Sequence, residues 1–273
     1  MAEKNIKEMS FLDHLEELRW VLVRSSAAVV IMAIITYFFA DFIFEEIIFG
    51  PTKPSFITYR FFCDASHYLG FADSICITEM DFIIQNTEME GQVNIFVWVC
   101  ITAGFILAFP YILWQLWKFI SPALYEKEKK HAKAFIFIAS LLFFLGVLFG
   151  YFVIVPMSVN FLATFSISTV VKNQFNIDSY VSMVKTAVIA SGLFFELPII
   201  VYFLTKLGLV TPSFLRKYRK YAIVIVLIIA AIVTPPDVVS QVTVAIPMLI
   251  IYEASIFISA VVAKNKLKNE QSS

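Results

Sequence analysis

Charge is scarce in this chain. Only 15% of its 273 residues are charged, and 21 Lys and Arg stand against 21 Asp and Glu. Neither sign is in surplus, so no electrostatic case exists for nucleic acid as a partner. Histidine and cysteine are scarcer still, at 3 each. His14, His67 and His131 look isolated, and no His/Cys/Asp cluster stands at metal-ligand spacing, so neither a metal nor another cofactor is expected. A Gly-x-Ser-x-Gly elbow and a Walker-type glycine-rich loop are also missing. An intramembrane hydrolase or an ATP-driven pump would be hard to build from these residues, and the chain is not expected to be an enzyme.

What it has is apolar length. Sixty per cent of residues are hydrophobic and mean hydropathy is +0.82, far from ordinary globular usage. The sequence therefore reads as an all-α polytopic membrane protein. A polar segment of about twenty residues precedes the first apolar run, which ends without a small-x-small cleavage site, so it is expected to remain as an uncleaved anchor. Residues 1–19 read as a cytosolic amphipathic helix lying on the membrane. There Ser10 and Asp13 resemble a capping box, while Phe11, Leu12, Leu15 and Leu18 make one apolar face.

A transmembrane domain is expected over 20–262, with spans near 20–40, 93–117, 134–155, 180–207, 221–233 and 242–262. Pro110 predicts a kink in the second, and Pro156 should end the third. The fifth run has only 13 residues, short for a membrane core, and the sixth is also brief. Charge decides that the fifth crosses: otherwise the Lys264-Asn-Lys266-Leu-Lys268 tail, in the segment 263–273, would emerge on the wrong side. With six spans and both termini inside, 17 of 21 Lys and Arg are cytosolic, as short basic loops should be. Residues 41–90 then form a long extracytoplasmic loop, in which Cys63 and Cys76 either pair as a disulfide or stay as two thiols.

A few polar groups stand where topology does not ask for them. Glu196 lies midway along the fourth span in Phe194-Phe-Glu-Leu-Pro198, where a carboxylate costs a few kcal/mol. Pro198 leaves the Phe194 carbonyl without its helical donor. Lys185 is eleven residues earlier, so Ser182, Lys185, Gly192 and Glu196 share a stripe that faces either a groove or a packed helix. Glu253 is a second intramembrane acid, explained most simply by a bond to a neighbouring helix. Thr234-Pro-Pro-Asp237, with Ser240 and Gln241, sets polar groups at the outer ends of two helices. Capping accounts for Asp237 and Ser240, whereas Gln241 could bond to a partner. In the first cytosolic hinge, Glu126 and Glu128 stand among Lys127, Lys129 and Lys130, and these carboxylates need a further reason.

Four segments together supply one. His14-Leu-Glu-Glu-Leu-Arg19, Phe119-Ile-Ser-Pro-Ala-Leu-Tyr-Glu-Lys-Glu128, Phe195-Glu-Leu-Pro198 and Thr234-Pro-Pro-Asp-Val-Val-Ser-Gln241 resemble TatC, the core subunit of the twin-arginine protein translocase. They occur in family order, at the family's topological positions, from about residue 9 to 262. The resemblance implies a receptor for twin-arginine signal peptides in the bacterial cytoplasmic membrane. It would assemble with itself and with single-span TatA- and TatB-like partners to export folded proteins on the proton-motive force. By motif match, Glu17 and Glu128 would take the two arginines, with Arg19 in the same motif and Phe119 shaping the site. Glu126, beside the matched acid, would share its role. Glu196 and Pro198 would be the buried polar element of transport, with Lys185 on their stripe but outside any family motif. Thr234, Asp237, Ser240 and Gln241 would dock a partner helix, and Pro51 would match a proline just outside the first span. The exterior loop is longer than the family core requires.

Two other classes compete. A small-solute carrier could use Glu196 as a proton-coupling acid with Lys185, yet the halves show no internal repeat and the cytosolic acids would be idle. A scaffold that only gathers helices would leave export intact in Glu128→Ala. Cargo identity and copy number are not written in the sequence.

Overall fold

A computed structural model describes residues 11–68, 76, 80, 82–121, 132–168, 170 and 172–271, with the side chains of 11–14, 132, 239 and 266–271 left aside. The helices are α1 (Phe11–Tyr37), α2 (Ile57–Tyr68), α3 (Gly91–Ile120), α4 (Ala132–Phe149), α5 (Val155–Thr164), α6 (Ile177–Phe195), α7 (Leu197–Lys206), α8 (Pro212–Lys217), α9 (Arg219–Val233) and α10 (Val238–Gln271). Two short strands, β1 (Ile83–Gln85) and β2 (Gln174–Asn176), pair in parallel with Ile84 opposite Phe175.

Five stretches are long and apolar enough to cross a membrane: Leu15–Tyr37, Gly91–Ile120, Lys133–Thr164, Ile177–Lys206 and Ser240–Asn265. α9, fifth in chain order, completes the six spans at 15 residues. Its length of about 22 Å falls short of a hydrocarbon core of about 30 Å. The sixth apolar stretch is not short, because it sits inside the 34-residue helix α10. Helix formation continues past the apolar run since the tail carries neither Gly nor Pro.

Two further boundaries differ from expectation. Residues 11–19 are not a separate surface helix but the first turns of α1, which runs unbroken for 27 residues. Nothing between Arg19 and Trp20 interrupts helical bonding. Nor does Pro156 end the third span. Gly150–Ile154 widens into a π-helical turn, and Pro156 then occupies the opening turn of α5, where its missing N–H costs nothing.

The chain divides into two compact units, residues 1–39 with 98–140 and residues 40–97 with 141–273. In the first unit α1 and α3 approach closely at Gly104, where a Cβ would lie 2.6 Å from the Ala33 nitrogen. Trp117 and Phe135 meet in a tilted ring pair with centroids 4.7 Å apart near the cytosolic ends of α3 and α4.

In the second unit the sequence Gly146-x-x-x-Gly150 forms a notch for α6. A Cβ on Gly146 would stand 2.6 Å from the Ser191 carbonyl oxygen, and one on Gly150 would run into the Ser191 hydroxyl and lie 2.7 Å from the Ala187 carbonyl oxygen. Only glycine lets the backbones come so near, the usual device where lipid supplies no hydrophobic drive between helices. The exterior side of this unit is tied by tyrosines. Tyr59 donates to the Pro51 and Pro156 carbonyls at 2.9 and 3.1 Å, Tyr151 to Ile47 at 2.9 Å, and Tyr180 to Ile48 at 2.6 Å. Residues 43–48 are π-helical and 50–52 a 3-10 turn, so their carbonyls lack α-helical partners and the phenols supply them. Burial raises the Tyr59 pKa, which keeps that phenol a donor.

Candidate functional site

The cytosolic ends of α1 and α3 belong to the first unit and carry the described part of the expected peptide site. Glu17 is half-buried on the second turn of α1, while Glu16 and Arg19 are exposed. Phe119 is half-buried in the last turn of α3. Glu126 and Glu128, with the rest of 122–131, lie outside the described residues, so the arrangement of the hinge acids stays an expectation from sequence.

The end of α3 is an aromatic girdle. Lys118 sits 3.7 Å above the Trp114 ring, and the Ser121 hydroxyl caps the helix by donating to the Lys118 carbonyl at 3.1 Å. One residue here escaped the sequence reading. Gln115, one turn before Phe119, is 2% exposed; its Nε2 donates to the Tyr111 hydroxyl at 2.6 Å and its Oε1 accepts no bond. A lone glutamine in an apolar run was the available signal.

The second unit holds the intramembrane acid. Glu196 is the joint between α6 and α7, so the fourth span is two helices rather than one. Pro198 causes the break by withholding its N–H, and the Glu196 N–H turns back to Leu193 at 3.2 Å. Glu196 is 6% exposed and its Oε1 has no hydrogen-bond partner. A buried acceptor without a donor is costly.

The stripe shared with Glu196 changes character along its length. Gly192 is packed, since a Cβ there would lie 2.8 Å from the Phe143 ring; Lys185 is half-buried, and Ser182 is exposed. Ser182 opens onto a cavity of about 490 Å³ at the exterior end, walled by Leu162, Phe175, Met183, Thr234 and Pro235.

The docking candidates are largely engaged with their own chain. The Thr234 hydroxyl donates to the Ala230 carbonyl at 2.8 Å, and Asp237 caps α10 by accepting the Ser240 N–H at 2.7 Å. Gln241 donates to the Leu227 carbonyl at 3.1 Å, which ties the start of α10 to α9. Pro51 is buried beneath Tyr59.

Glu253 has the neighbouring-helix partner expected of it. Arg219, at the start of α9, meets it with both prongs: Nε to Oε1 at 2.7 Å and Nη2 to Oε2 at 2.8 Å. Finally, Cys63 and Cys76 form a disulfide, which settles the alternative left open by sequence. His67 is not isolated but stands 3.8 Å from the Cys76 sulfur.

Comparison with known proteins adds the following. The family model described as "Sec-independent protein translocase protein (TatC)" matches residues 13–247. A TatC of Blattabacterium sp. subsp. Periplaneta americana is 44% identical over 97% of this chain and 99% of its own length. The Bacillus subtilis protein TatCy is 35% identical, with coverage of 95% and 92%. A crystal structure described as "Twin Arginine Translocase Receptor- TatC" superposes with a TM-score of 0.71 at 35% identity, covering 91% of this chain and 99% of that one.

Proposed function

The chain belongs to the TatC family of Sec-independent protein translocase proteins, and from that premise we propose that its cytosolic face reads twin-arginine signal peptides through Glu17 and Glu128. The observation that carries this reading is the family match over residues 13–247, which takes in the motifs holding both acids. The protein is a translocase receptor, a transport component that moves folded proteins across a membrane. It carries out no covalent chemistry in this reading; its work is recognition and passage.

Recognition follows from the shape of the ligand. A guanidinium is a planar fork that a carboxylate accepts at two points, and two arginines ask for two carboxylates. This chain already makes one such fork between Arg219 and Glu253 at the membrane edge, where both side chains are about half exposed. Glu17 and Glu128 would do the same for a peptide, with Glu126 sharing the charge and Phe119 excluding water beside it. Arg19, exposed two residues on from Glu17, would stand beside the bound peptide. The apolar part of the peptide would continue into the membrane.

The partners of this reading are single-span proteins of the TatA and TatB kind and further copies of the chain, in the bacterial cytoplasmic membrane. Thr234, Asp237, Ser240 and Gln241, at the exterior turn between α9 and α10, are the docking position for a partner helix. Glu196, with Pro198 and the Lys185 stripe, is the polar element that a translocating segment meets within the bilayer, driven by the proton-motive force.

The test is binding of a labelled twin-arginine peptide to the purified protein in lipid nanodiscs. Binding should weaken by about tenfold or more in Glu17→Ala and in Glu128→Ala, and a twin-lysine peptide should bind less well, since charge-assisted bonds contribute about 1.5–3 kcal/mol each. Equal affinity for both peptides, or binding that survives loss of both glutamates, overturns the assignment.

A further inference from the structure

Two of the chain's 3 cysteines and one of its 3 histidines meet in the exterior loop of the second unit. Cys63 and His67 are four residues apart on α2, so their side chains leave the same face of that helix. Cys76 reaches that face from outside the helix, with its sulfur 3.8 Å from His67 Nε2. The ligating atoms of all three lie within 4.8 Å of one another. Around a tetrahedral zinc ion, with Zn–S about 2.3 Å and Zn–N about 2.0–2.1 Å, sulfur and nitrogen ligands stand roughly 3.6 Å apart. His67 and Cys76 therefore already hold the separation such an ion imposes. The cluster is also reachable: His67 is exposed, and both cysteines are half-buried.

We propose that, once the Cys63–Cys76 disulfide is reduced, Cys63, His67 and Cys76 form a three-ligand site for a thiophilic d10 cation of the Zn2+ class. A dithiol reductant supplies two electrons and two protons; its own thiols become a disulfide, and the Cys63–Cys76 bond becomes two thiols. Binding of the cation then releases those two protons as both sulfurs ligate as thiolates and neutral His67 adds its Nε2. The fourth coordination position is left to water. Disulfide and metal exclude each other, so the loop is cross-linked in either state, and occupancy reports the thiol redox state of the exterior face.

The experiment uses the full chain in detergent, with Cys100→Ser removing the buried third thiol. Phosphine-reduced protein, oxidised protein and reduced His67→Ala are each titrated with Zn2+ against a chromophoric chelator. Co2+ then serves as a spectroscopic substitute. One Zn2+ should bind per reduced chain and none with the disulfide intact. Co2+ should give thiolate-to-metal charge-transfer absorption, and His67→Ala should bind about tenfold or more weakly. Absence of one-to-one binding in the reduced chain, unchanged affinity in His67→Ala, binding by the oxidised protein, or Co2+ binding without charge transfer each overturns the proposal.

Discussion

Replacing Arg219 by Lys keeps the charge opposite Glu253 and removes the fork. Both side chains are about half exposed, so water screens the pair, and the loss should be no more than about 1 kcal/mol. Thermal unfolding in detergent at low and high salt would show it, with the difference between the proteins shrinking as salt rises. Tyr59→Phe should cost more, about 1–3 kcal/mol, because the buried Pro51 carbonyl then loses its donor, while that of Pro156 keeps its place in α5. Its pH dependence has a definite sign. Burial raises the Tyr59 pKa in the folded chain, so the phenol's contribution is complete below the ordinary tyrosine value of about 10. Above that pH the unfolded chain ionises first, and the advantage of the native protein over Tyr59→Phe should fall. At this scale the sequence was partly legible. Glu253 advertised a partner because a lone acid in an apolar run demands one. Tyr59, Tyr151 and Tyr180 advertised nothing, because their acceptors are backbone carbonyls, those of Ile47, Ile48 and Pro51 freed by π and 3-10 turns, which no side-chain pattern encodes.

The α4–α6 contact and the joint at Glu196 are the elements that matter most in the second unit. Gly150→Leu would push four carbons into the Ser191 side chain and the Ala187 backbone, neither of which can retreat without parting the helices. The cost should reach or exceed the about 1–3 kcal/mol typical of overpacking, read as a lower unfolding midpoint. Gly104→Leu should do the same in the first unit, against Ala33. One helix end was legible, that of the fourth span, expected near 207. α7 closes on Gly208 at φ 80°, with Leu209 N–H donating to Leu204 and Gly208 N–H to Thr205, the left-handed glycine that commonly ends a helix. Pro156 misled, because a proline reads as a stop unless a π turn ahead of it makes room. The Gly146-x-x-x-Gly150 pattern was present in the sequence, but spacing alone does not say which helix fills the notch.

For the molecule as a whole, apolar run length and the sidedness of Lys and Arg were enough to reach six spans, because both follow from the bilayer as solvent. The four motifs then carried the family, although the hinge acids themselves lie outside the described residues. The mismatch of α9 with the membrane has a measurable effect. At 15 residues it draws the two leaflets together around it, so the unfolding midpoint in nanodiscs should be higher with shorter-chain than with longer-chain phosphatidylcholine. Inserting four leucines after Ile228 should reverse that order. A last consequence concerns the order in which the chain is made. The glycine notch on α4 emerges from the ribosome roughly forty residues before Ala187 and Ser191 exist to fill it, a wait of a few seconds at ordinary synthesis rates. During that interval a nascent third span presents bare backbone to any helix passing in the plane of the membrane. The small residues that let the finished helices lock together thus also open a brief window for mispairing, which closes only when the fourth span is inserted.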